Sequence, residues 1–171
     1  KKNIEDIKVG DKELTYNQVT KENEYNTVSY KYIHDDNKED LYEIQINGKV
    51  LTATGNHPFY INTAYNPTFN FYDILKVEAK MNYYEKNRVN KYTYCENETD
   101  CWVQAKNLRV GNYLLNEDGN YYKIESIKHY PINERVYNLE IENNHNYYVS
   151  DGYLVHNGYL IIGKSVVELL K

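Results

Sequence analysis

Ile4-Glu5-Asp6-Ile7-Lys8-Val9-Gly10-Asp11, which leads to Leu14, returns later as Ala105-Lys106-Asn107-Leu108-Arg109-Val110-Gly111-Asn112, which leads to Leu114-Leu115; Val9 and Val110 are 101 positions apart. The echo continues downstream. Tyr42-Glu43-Ile44-Gln45-Ile46 alternates apolar and polar residues as Tyr137-Asn138-Leu139-Glu140-Ile141 does, and each is followed by a histidine-led stretch, His57-Pro58-Phe59-Tyr60 or His145-Asn146-Tyr147-Tyr148. Alternation with period two marks strands that bury one face. Asn47-Gly48, Asp118-Gly119 and Asp151-Gly152 lie between such runs, where Asn/Asp-Gly supplies the positive φ that two-residue hairpin turns require. The expected fold is therefore all-β, a duplicated set of hairpins.

Composition agrees with a sheet protein. The 171 residues suffice for one domain with a real core. The hydrophobic fraction of 41% includes 21 tyrosines, and aromatic and β-branched side chains suit a pleated, half-buried surface. Mean hydropathy is −0.83 and no apolar run approaches a membrane span or signal peptide, so no membrane partner is expected. A net charge of −5 and the absence of a basic stripe argue against nucleic acid. The chain starts at Lys1, as an excised piece of something longer would, and its compartment is unreadable.

Between Asn62 and about Cys101 the pattern gives way to a Tyr/Asn/Lys-rich stretch, read as a variable insertion with a short helix near Ile74 to Met81 capped by Asp73. The interleaved basic and aromatic residues of Tyr83 to Tyr94 are read as a solvated loop. Cys95 and Cys101 flank a polar loop and are either two free thiols or a small disulfide; a zinc site would need more ligands. Residues 158–171 read as a strand-like link and the start of a helix, a tail or the beginning of the next domain. Gly158-Tyr159-Leu160-Ile161-Ile162-Gly163-Lys164-Ser165 fits the phosphate-loop expression. Its bulky variable positions cannot wrap amides round a phosphate, and no room remains for the helix and strands that follow such a loop.

The chemistry is concentrated at Tyr153-Leu154-Val155-His156-Asn157-Gly158, with His145 twelve residues before Asn157. An asparagine side-chain nitrogen that attacks its own backbone carbonyl closes a succinimide and releases everything after it, provided neighbours polarise the carbonyl and carry the proton. A His-Asn or an Asn-Gly pair alone is common in loops and carries no function by itself. His34 and His129 lack partners in this pattern and are expected to face solvent.

Taken together, these stretches resemble the Hint superfamily: inteins, bacterial intein-like domains, hedgehog autoprocessing domains and pretoxin Hint domains. Asn3 to Asn17 resembles the early strand after the family's nucleophile, Thr54-Gly55-Asn56-His57-Pro58-Phe59 its Thr-x-x-His element, and Val136 to Asn157 its terminal elements. Trp102-Val103-Gln104-Ala105 with Leu108-Arg109-Val110-Gly111 looks like the bacterial and pretoxin branch.

The resemblance implies a horseshoe with pseudo-twofold halves over residues 1–157, no cofactor or metal, a monomer, and the chain's own flanking segments as partners. It assigns Thr54 and His57 to the N-terminal scissile peptide, and Asn157, His156 and His145 to cleavage before Gly158. The family's Cys or Ser nucleophile would lie upstream of Lys1. Gly158 stands where a splicing intein has Cys, Ser or Thr, so cleavage rather than splicing is expected. Many relatives carry Asp where this chain has Asn138, which cannot exchange a proton as a carboxyl does. The alternative to self-cleavage is an inactive Hint-fold scaffold or interaction module.

Overall fold

The computed structural model describes residues 2–35, 40–68, 94–95, 99–131 and 135–156. The expected helix near residues 74–81, Asn157, Gly158 and the 158–171 tail lie outside them. The described residues are all-β, with twelve strands: β1 Lys12–Asn17, β2 Glu22–His34, β3 Leu41–Ile46, β4 Lys49–Thr54, β5 Pro58–Asn62, β6 Tyr94–Cys95, β7 Asp100–Gln104, β8 Tyr113–Leu115, β9 Tyr121–Tyr130, β10 Val136–Ile141, β11 Asn146–Val149 and β12 Tyr153–His156. They form sheets ordered β1-β2-β10, β4-β3-β9-β8 and β11-β12-β5-β7-β6.

The sequence echo is a structural duplicate down to single hydrogen bonds. Ile4–Asp6 and Ala105–Asn107 are both 3-10 turns. Each is followed by a buried residue, Ile7 or Leu108, and by a glycine at φ +95°, Gly10 or Gly111. That conformation lies in the left-handed region a side chain resists. Gly10 donates to Val28 O and Gly111 to Ile124 O, both at 2.9 Å, while Val28 and Ile124 donate back to Asp11 O and Asn112 O at 2.8 Å. The turn thus locks each half's first strand to its second.

The halves then exchange arms. β3 pairs with β9 of the second half, and β10 pairs with β2 of the first. Both ladders slip at the same place, between Gln45 and Ile46 and between Glu140 and Ile141, which seats Ile46 against Ile124 and Ile141 against Val28. All four side chains are fully buried at the junction of the halves. Burying each contributes about 1.5–3 kcal/mol.

Turn chemistry is only partly as expected. Asn47 and Gly48 both take positive φ and close the two-residue β3–β4 hairpin, which links Ile46 to Lys49. The other two hairpins have longer loops: the positive φ of Gly152 is shared with Ser150, three residues separate β11 from β12, and Gly119 sits in a wider loop between β8 and β9. In these the glycine closes the end of a loop rather than the centre of a two-residue turn.

The central sheet is covered on both faces, so β7 is buried throughout. Phe59, Ile61, Val103, Tyr147 and Val155 point into the main core. Tyr60, Trp102 and Leu154 point the other way, into a second, aromatic core with Leu115 and with Tyr16, Tyr121 and Tyr148 at its margin. Asp100 and Cys101 pair with Asn62 and Ile61, so the end of the expected insertion belongs to this sheet. Cys101 is disulfide-bonded, and Cys95 stands opposite it in the β6–β7 register.

Candidate active site

His156 ends β12, and the alternation that sends Val155 into the main core turns His156 toward the aromatic one. It is 6% exposed, sits opposite Asn146 in the β11–β12 ladder, and meets the Trp102 ring edge-on with centroids 4.9 Å apart. Burial is the first cause that lowers its pKa, to about 3, and the nearby His145 and His57 lower it further. At neutral pH it is an uncharged imidazole.

His57 enters from the adjacent strand. Val155 pairs with Phe59, so the start of β5 lies beside the end of β12. His57 donates its backbone N–H to Thr54 O at 3.1 Å and accepts from Ala105 N at 2.9 Å, while Gly55 donates to Asp40 O and accepts from Lys106 N, both at 2.9 Å. The Thr54-to-His57 turn is therefore seated on the second half's 3-10 turn. Gly55 fits closely there, because a Cβ would stand 2.9 Å from Tyr42 Cε2 and force that ring to shift. The Thr54 hydroxyl donates to Asn56 Oδ1 at 2.9 Å. His57 as a residue is half-buried, but its ring Nε2 is sealed from solvent with no hydrogen-bond partner. Burial lowers its pKa to about 4, against a smaller upward pull from the His156 backbone.

His145 is half-buried just before β11, with φ +54°, two residues after Asn143 at φ +68°. A tight left-handed entry of this kind suits Asn and His better than most side chains. The following residue anchors it. Fully buried Asn146 accepts from Tyr16 N and donates to Tyr16 O, both at 2.9 Å, so its carboxamide substitutes for a strand along the outer side of β1. Asn66 does the same for Tyr113, at 2.7 and 3.1 Å. Sequence reading missed both anchors, although an asparagine within a β-rich run is disfavoured unless its amide is used. Asn138 accepts from the Tyr147 hydroxyl and from Leu139 N, each at 2.9 Å.

Thus His57, His145 and His156 gather where β5, β11 and β12 meet, with Thr54 one turn away. The described chain ends at His156, the residue before Asn157. The remaining histidines stand apart. His129 faces solvent as expected, and its Nε2 lies 2.7 Å from Asp40 Oδ2 while its ring stacks on Tyr42, a partnership across 89 residues that no local pattern reveals. His34 is half-buried opposite Val136. Among the described residues, no three His, Cys, Asp or Glu side chains are grouped to hold a metal ion.

A duplicated, arm-exchanged β-fold that brings its terminal elements and a Thr-x-x-His turn together defines the Hint class of autoprocessing domains. Solved structures agree. A bacterial intein-like domain from Clostridium thermocellum superposes with a TM-score of 0.61 at 27% identity, covering 90% of this chain and 86% of that one. A DnaB intein from Synechocystis sp. PCC 6803 gives 0.56 at 19% identity, covering 90% and 84%. The gp41-1 intein gives 0.55 at 19%, covering 91% and 86%. Within this class the chain belongs to the pretoxin HINT domain family, whose profile matches residues 75–160, half of its length. No curated protein sequence matches it.

Proposed function

We propose that this chain is a single-turnover self-processing domain that cleaves its own backbone between Asn157 and Gly158. The observation that carries the reading is the meeting of His57, His145 and His156 at the end of β12, one residue before Asn157. In the step, Asn157 Nδ2 bonds to the Asn157 carbonyl carbon and the bond to Gly158 N breaks. One side-chain amide proton ends on the released Gly158 amine.

A neutral His156 donates an N–H to the carbonyl oxygen and stabilises the charge that develops there. His145 takes the amide proton or relays it to Gly158 N. Intramolecular attack contributes about 7–11 kcal/mol of barrier lowering, and each positioned acid or base about 10²–10⁴ in rate. Thr54 and His57 take, by the family resemblance, the role of holding and straining a peptide that enters from the upstream side. Gly158 offers no hydroxyl or thiol, so no acyl group can be passed to it and the outcome is cleavage. By analogy with the pretoxin family alone, the segment freed in this reading is a toxin domain, and the partners of the reaction are the chain's own flanks.

Intact mass over time tests the reading in the full-length protein. The parent loses the fragment that begins at Gly158; Asn157→Ala retains it, and His145→Ala and His156→Ala shed it more slowly. A folded parent that stays whole in every condition supports the scaffold reading instead. Asn47-Gly48 serves as an internal control, since ordinary ageing there deamidates without chain scission.

A further inference from the structure

We infer that Trp102 is a positioning residue for this cleavage, because it fixes the ring orientation of His156; the assignment rests on the proposed reaction. The ladder with β11 sets where the His156 backbone lies, but it does not set the side-chain torsions. A hydrogen bond from the imidazole to a carbonyl on the next residue needs the ring held in one orientation. Trp102 supplies the wall. It reaches across β5 from β7 and meets His156 at an interplanar angle of 86°, the edge-on geometry that aromatic rings prefer.

Trp102 is itself held from behind. Its ring packs at 5.5 Å against Tyr60, its direct register partner, and both are fully buried. The Tyr60 hydroxyl donates to Asp100 Oδ1, and Lys21, on the turn between β1 and β2, places its ammonium 3.3 Å from Asp100 Oδ2. A line of contacts thus runs from the first half's hairpin through Asp100, Tyr60 and Trp102 to His156. The Cys101 disulfide pins the strand one residue before Trp102. Tight packing of this kind leaves little room for the imidazole to turn.

The test uses the full-length protein with Trp102→Leu and Trp102→Phe, read two ways. Cleavage is followed by mass, and the ring-nitrogen NMR shifts of His156 are recorded in the uncleavable Asn157→Ala background. Trp102→Leu is expected to displace the His156 ring signals and slow cleavage about tenfold to a hundredfold, the scale on which small misplacements act. Trp102→Phe, which keeps an aromatic edge and serves if the leucine variant fails to fold, is expected to shift the signals less and restore most of the rate. His156 ring signals that stay in place in both variants overturn the inference, whatever the rate does. A parent that never cleaves overturns the proposed reaction, while the ring signals still decide whether Trp102 orients His156.

Discussion

Asp11 and Asn112 occupy one position in the two halves of the fold: each turns a side-chain oxygen back onto the backbone N–H three residues earlier, Lys8 at 3.0 Å and Arg109 at 2.7 Å. A carboxylate and a carboxamide do the same work because both are acceptors there. The Lys8 hydrogen bond, the largest influence, holds the Asp11 carboxyl below its usual pKa. Asp11→Asn keeps the acceptor for Lys8 N–H but loses the charge that also faces Lys2, so it is expected to lower stability slightly near neutral pH and to converge with the parent as pH falls through the lowered carboxyl pKa. Asn112→Ala, at a buried site, is expected to cost about 1–2 kcal/mol. Urea unfolding of the variants checks both.

Asn146 is expected to be worth more than a strand residue of its size. Asn146→Ala strands the N–H and C=O of Tyr16, at about 1–3 kcal/mol for each group that water does not reach. Asn146→Asp also fails, because an acceptor then faces the Tyr16 carbonyl. Equal stability of parent and aspartate variant in thermal melts sinks this account of the anchor.

Gly55→Ala forces Tyr42 to move, and Tyr42 is stacked on His129. Overpacking of this kind costs about 1–3 kcal/mol. Because Gly55 lies between Thr54 and His57, a larger loss of processing than of stability is expected, read as cleavage rate under conditions where the variant remains folded.

The two buried imidazoles make stability depend on pH. His57 and His156 titrate at about 4 and about 3 when folded, below the ordinary histidine value that the unfolded chain keeps. Between those values the unfolded state binds more protons. The stabilisation is present in full above about pH 6.5 and declines as pH falls toward the folded values, by up to about 1.4 kcal/mol per pH unit for each imidazole. In the Asn157→Ala background, urea midpoints at about pH 7.5 and about pH 5 are expected to differ accordingly, and His156→Gln to flatten the slope.

The sequence carries the duplicate in plain view, because Ile7 and Leu108 must be buried and Gly10 and Gly111 must be left-handed for the turns to close. It also carries the His156-Asn157 pair and its two companion histidines. What it hides is partnership. Period-two alternation says which face of β3 or β10 is buried but not that each crosses to the other half, and nothing local to Trp102 announces a contact with a ring 54 residues away. The pairing of His129 with Asp40 and the strand-like use of Asn146 and Asn66 are hidden for the same reason.

The most direct measurement is the mass of the N-terminal fragment that ends at Asn157, taken as soon as it appears from the full-length protein. Cyclisation predicts a fragment lighter by one water than the free acid, because its last residue is a closed succinimide, and none from Asn157→Ala. A fragment that carries the full water of hydrolysis from its first appearance, or the same fragment from Asn157→Ala, contradicts the account.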